Sequence, residues 1–232
     1  MRKLRVFMII MLLIFTSACS NRKVSLAEEK QPNGIIEGIV LEVFDSSFLM
    51  IDNESHNQYI VSYDYNELLT NQLVKVAYDG MIQETYPMGI TASEISTSST
   101  LLTMYLNVLD ELQDKDAALN NNVKIVSLDI DDTLGLTDNE KQLLANTVAL
   151  RYGAEEILFM NYQELCDGGY IDTEDIHFDS GLLISLKGNE ENNSFEFNVA
   201  KYKGGLAAYF MSCKAMNNNG IWSYKVISEA IS

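Results

Sequence analysis

The chain has 232 residues, 47% of them apolar, and its 33 acidic side chains outnumber 16 basic ones for a formal net charge of −17. So acidic a polypeptide repels polyphosphates and anionic lipid surfaces alike, which argues against nucleic acid as a partner. The three cysteines (Cys19, Cys166, Cys213) and two histidines (His56, His177) lack the paired spacing of a zinc site.

Residues 1–18 read as an export signal. "MRKLR" is a positive start, "VFMIIMLLIF" an apolar stretch too short to span a bilayer, and "TSA" a small-residue segment before Cys19. "TSAC" resembles the lipobox of bacterial lipoproteins, in which the cysteine receives a diacylglycerol and becomes the new N-terminus. Thr16 departs from that pattern, which has Leu, Val or Ile at this place. The resemblance implies a palmitate-bearing anchor at Cys19 that holds the protein on the outer, extracytoplasmic face of the cell membrane; simple secretion is the alternative. Loss of Arg2, Lys3 and Arg5 with the signal takes the formal charge from −17 to −20, so membrane attachment has to come from the lipid. Residues 19–33 are polar and aperiodic and read as a flexible tether. With Cys19 acylated, Cys166 and Cys213 remain, and both a disulfide and two buried thiols stay open.

Residues 34–96 form the next module. Short strand-like runs, "IIEGIVLEVF", "SFLMID", "QYIVSYD", "LVKVAYDGMIQETY" and "GITASEI", predict a small barrel of five or six strands, with Asp79-Gly80 as a hairpin turn. "GIVLEVFDSSFLMID" and "VAYDGMIQETYPMGITASEI" resemble an OB-like domain of uncharacterised secreted lipoproteins of Gram-positive bacteria. That resemblance implies a five-stranded barrel and carries no catalytic residues. Barrels of this type often bind oligonucleotides or sugars. Lys75 is the module's single basic residue against ten acidic ones, so the nucleotide option fails on charge. Tyr59, Tyr63, Tyr65, Tyr78 and Tyr86 offer stacking surfaces for a sugar or peptide, or else fill the barrel.

Residues 97–232 predict an α+β module. Ser98 or Ser99 is expected to cap a helix whose Leu101, Leu102, Tyr105, Leu106, Leu109 and Leu112 share one stripe. A strand "VKIVSLDI" follows, then a helix "DNEKQLLANTVALRYG" closed by Gly153, then a short helix "YQELCDGG". Four strands end the chain, with Asn219-Gly220 as the last hairpin turn. Helices followed by a run of strands predict a curved antiparallel sheet packed on the long helix, an order loosely similar to cone folds of the nuclear-transport-factor-2 type.

"DIDDTL" at 129–134 resembles the opening motif of haloacid-dehalogenase phosphohydrolases. The resemblance implies Asp129 as nucleophile, Asp131 as general acid and both as Mg²⁺ ligands. That chemistry also needs a lysine and a second acidic pair, and the antiparallel pattern after Ile130 predicts that neither arrives. A calcium loop is a third reading, with Asp129, Asp131, Thr133 and Glu140 near the required spacing, although Leu134 stands where the turn wants glycine. Thr137-x-x-Glu140 is more simply a capping box for the following helix. Neither histidine lies near a G-x-S-x-G elbow, and a chain with 33 carboxylates always offers glycosidase-like pairs, so those constellations carry no signal. The expected function is binding without catalysis, with a protein, peptide or saccharide as ligand and no resident cofactor.

Overall fold

The computed structural model describes residues 33–63 and 67–232. The export signal, Cys19, the tether as far as Pro32, and Tyr65 lie outside the described residues. The described chain is mostly strand. Its first five, β1 (Gly34–Val43), β2 (Ser47–Asp52), β3 (Gln58–Ser62), β4 (Leu73–Tyr78) and β5 (Met88–Ser98), close into a barrel in the order β1-β2-β3-β5-β4. All neighbours are antiparallel except β3 and β5.

Period-two alternation fills the barrel. Val40, Phe48, Met50, Val61, Val74, Val76 and Ile90 point inward. Gly38 is obligatory there, since a Cβ would sit 2.1 Å from the Ile51 carbonyl oxygen. Asp79-Gly80 is a turn, with Gly80 at φ 86°, but not a tight hairpin. The strand expected to run through Tyr86 ends at Tyr78, where the alternation of buried and exposed side chains stops. Residues 79–87 then loop outward, bridged by Gln83 to Gly89, before β5 returns beside β4.

The second sheet contains β6 (Ile125–Ile130), β7 (Glu156–Leu158), β8 (Gly181–Gly188), β9 (Ser194–Gly204), β10 (Ala207–Asn218) and β11 (Ile221–Ile231), ordered β11-β10-β9-β8-β6-β7. Strands β8 to β11 are an antiparallel meander. Its last turn is Asn219-Gly220, both at positive φ, as a two-residue connection requires. The all-antiparallel expectation is corrected at the other end, where β6 pairs parallel with both β7 and β8. Helices make this possible by carrying the chain back between strands.

Those helices are α2 (Asp138–Tyr152), between β6 and β7, and α3 (Tyr162–Asp167), between β7 and β8. Helix α1 (Leu101–Asp114) precedes β6. Its cap is Thr100, paired reciprocally with Thr103, and not Ser98 or Ser99, because β5 continues through Ser98. Met104 and Val108 are buried along with the leucine stripe, so α1 is enclosed nearly all round. Helix α2 begins in the predicted Thr137–Glu140 capping box and ends at Gly153 in the left-handed conformation.

Helices α1 and α2 cover one face of the sheet, over Val126, Leu128, Leu182, Ile184 and Phe197. On the opposite face, Leu165, Ile171 and Phe178 cover Leu183, with Tyr202 packed beside them. Ile39 and Ile51 of the barrel belong to the same core as α1 and the sheet. Among the described residues no helix is long and apolar enough to cross a membrane.

Candidate functional site

Asp129 and Asp131 sit where β6 leaves the sheet. Parallel pairing sets Asp129 opposite Ser185, and the Asp131 N–H donates to the Leu186 carbonyl (3.0 Å). Side chains alternate across the sheet. Ile184 and Leu186 are therefore buried on the helix side, while Asp129, Asp131 and Lys187 share the other face.

Lys187 Nζ donates to Asp129 Oδ1 (2.5 Å) and Asp131 Oδ1 (3.0 Å), and the Gly188 N–H donates to Asp131 Oδ2 (3.0 Å). Partial burial pulls the Lys187 ammonium down, but hydrogen bonds to both carboxylates and their charges outweigh it, so its pKa lies above the ordinary lysine value.

The aspartate pair therefore has a lysine companion, contrary to the expectation drawn from an antiparallel pattern. β6 also lies between β7 and β8 and runs parallel to both, and the aspartates stand at its carboxyl end, the end at which open parallel sheets place ligands. The second acidic pair does not follow. Among the described residues no three of His, Cys, Asp and Glu gather closely enough for a metal ion. Lys187 holds an oxygen of each carboxylate and a backbone N–H holds another, a donor set that suits an ammonium and does not fit Mg²⁺ or Ca²⁺.

The remaining residues of the proposed calcium loop are engaged elsewhere. Thr133 Oγ1 donates to the Gly188 carbonyl (2.6 Å), and Glu140 Oε2 accepts from the Thr137 N–H (2.9 Å) and hydroxyl (2.7 Å). Cys166 and Cys213 are free thiols, the first on α3 and the second buried on β10, where burial pushes the thiol up to about 12. Among the described residues, Tyr59, Tyr78 and Tyr86 do not form one platform: Tyr59 and Tyr78 fill the barrel, while Tyr86 is 85% exposed.

A cavity of about 750 Å³ opens between the barrel and the second sheet. The loop before β4 supplies Thr70, Asn71 and Gln72, the end of β5 supplies Thr97 and Ser98, α1 supplies Thr103 and Asn107, and the β10–β11 turn closes the rim with Asn219. None of its described lining residues carries a charge, which is unusual in a chain this acidic.

One end of the cleft is fixed by a polar network centred on the buried Asn71. Asn71, at φ 66°, donates through Nδ2 to Asn107 Oδ1 (2.8 Å) and Asp110 Oδ2 (2.6 Å), and its Oδ1 accepts from the Arg151 guanidinium. Arg151 in turn pairs with Asp110 at 2.8 Å and donates to the Leu106 carbonyl. Sequence reading missed this site because its residues are common polar types from four separate segments. The positive φ of Asn71 follows from asparagine's tolerance of the left-handed region, but nothing local marks its partners. Compared with known proteins, the chain matches no family model and no characterised protein at a significant level.

Proposed function

We propose that the protein is an extracytoplasmic lipoprotein of binding type, anchored through a lipid on Cys19, whose cleft between barrel and sheet receives a neutral polar ligand, a saccharide or a peptide. The barrel is read as OB-like, from its strand order and the parallel β3–β5 pair, and the sheet with its helices as a mixed α+β module. One observation carries the binding reading: uncharged hydrogen-bonding side chains from both modules line a cleft large enough for a small ligand. Hydroxyl and amide groups reward a partner rich in the same groups and repay poorly the desolvation of a charge.

Trp222, the single tryptophan, packs against Phe195 beside cleft-lining Ile221 and serves as reporter. Titration of the full chain with neutral oligosaccharides and neutral peptides is expected to give a saturable change in its fluorescence that Asn107→Leu with Thr97→Val removes. A flat titration, or one indifferent to those substitutions, would refute the cleft. The anchor is checked separately by palmitate labelling of cells, expected to vanish in Cys19→Ala.

A second reading, phosphohydrolysis at Asp129 and Asp131, is favoured by one observation, the arrival of Lys187 from a parallel neighbour. The metal that the motif's resemblance implies does not fit the donors present. Turnover of p-nitrophenyl phosphate that disappears in Asp129→Asn would establish catalysis; absence of turnover leaves the triad as a structural ion cluster.

A further inference from the structure

We infer that the end of the second sheet opposite the barrel is a docking surface for a basic segment of a partner protein carrying apolar anchor residues. β10 runs from this end to the Asn219-Gly220 turn at the cleft, so the β9–β10 turn at Gly205-Leu206 is as far along the strand from the barrel as β10 allows. Leu206 is 93% exposed at the tip, and Ile176, 43% exposed, stands beside it.

Ile176 is held there. Its φ of 53° is one that β-branched residues rarely adopt, and its carbonyl accepts from the Gly205 N–H (2.9 Å) and the Tyr202 hydroxyl (3.1 Å). Ile176 packs directly on the turn, its Cγ2 within ordinary contact distance of where a Cβ on Gly205 would stand (3.5 Å). The pair is therefore presented by fixed backbone. Leu206 lines two adjoining cavities of about 460 Å³ each, so an occupant of either one meets it.

Charge decides what that occupant is. Asp116, Asp175 and Asp179 line the two cavities, and the Asp179 side chain is almost fully exposed. Lys203, which lines the first of them, is buried and turned to the Asn121 carbonyl, and His177 lies 3.6 Å from Asp179. An apolar ridge inside an acidic rim complements lysine or arginine flanking an apolar anchor. Anionic lipid is repelled by the rim, and a second copy of this chain would bring the same negative charge to it.

The test titrates the full chain with a fluorescein-labelled peptide of alternating leucine and lysine, read by anisotropy. Leu206 is solvated, so Leu206→Ser is expected to leave the fold intact while weakening binding about tenfold. Asp175→Asn with Asp179→Asn should weaken it about threefold at low salt, with less effect as salt rises. Equal binding by a lysine-serine peptide would show that net charge alone suffices, and equal binding by a leucine-glutamate peptide that apolar contact alone suffices; either overturns the inference, as does indifference to Leu206→Ser. A dimer in sedimentation velocity that Leu206→Ser dissolves would assign the surface to a second copy and overturn it too.

Discussion

At the scale of single residues, two lysines show how position decides what a charge does. Lys187 stands between two carboxylates that would otherwise face each other across the end of β6. Lys187→Met should lower stability by about 1–2 kcal/mol, part from lost hydrogen bonds and part from like-charge repulsion. Adding Asp129→Asn removes the repulsion, so urea unfolding should find the double variant more stable than Lys187→Met alone; a double variant no better would contradict the charge argument. Lys201 is the opposite case. It is fully buried, donating to the Gln113 carbonyl (3.2 Å) and Asn120 Oδ1 (3.0 Å), and burial pulls its pKa down to about 8 against the charges of Asp116 and Asp114. The unfolded value is about 10.4. Between the two values the unfolded chain keeps a proton that the folded chain has released, so this group makes stability rise with pH across that window. Lys201→Met should lack that rise, which amounts to about 2–3 kcal/mol between about pH 8 and pH 10.5. Parallel stability curves for the two proteins would show that Lys201 is not depressed.

Among the elements, legibility follows the range of the interactions that define them. The start of α2 is local: Thr137 and Glu140 satisfy each other's neighbouring N–H groups within one turn, and the pair is visible as a spacing. Thr137→Ala should therefore cost about 1 kcal/mol, measurable as a shifted urea midpoint with an unchanged slope. The β10–β11 turn and the barrel strands are legible for the same reason, since two-residue turns and alternation are short-range patterns. Lys187 was not legible as a partner of Asp129 because they lie 58 residues apart and meet only through parallel pairing. Alternation assigns a side chain to a face but does not name the neighbouring strand. β7, three residues long, is too brief to carry a pattern, and without it the β6–α2–β7 crossover reads as helix alone. The cleft is harder still, because neutral polar residues scattered over four segments have no periodicity.

For the whole molecule, the question is whether barrel and sheet stand or fall together. Two structural ties join them. Ile39 and Ile51 of the barrel are buried in the same apolar core as α1, α2 and the sheet, and separation would return that surface to water. Arg151 of α2 and Asp110 of α1 grip Asn71 of the barrel, while Asn139 Nδ2 donates to Asn53 Oδ1 (2.8 Å) at a second point. Calorimetry of the protein should accordingly show one transition, with calorimetric and van't Hoff enthalpies in agreement. Arg151→Met leaves the buried Asn71 Oδ1 without its donor and removes the ion pair to the half-exposed Asp110, which still accepts from Asn71, at a cost of about 1–2 kcal/mol, or about 2–8 °C in Tm for a chain of this size. Arg151→Lys should recover little of it, because a single ammonium cannot reach Asp110, the Leu106 carbonyl and Asn71 with the geometry of the guanidinium fork. Two resolved transitions in the unmodified protein, or a wild-type Tm in Arg151→Lys, would mean that the barrel is tied to the sheet by apolar contact alone and that the cleft between them is free to open.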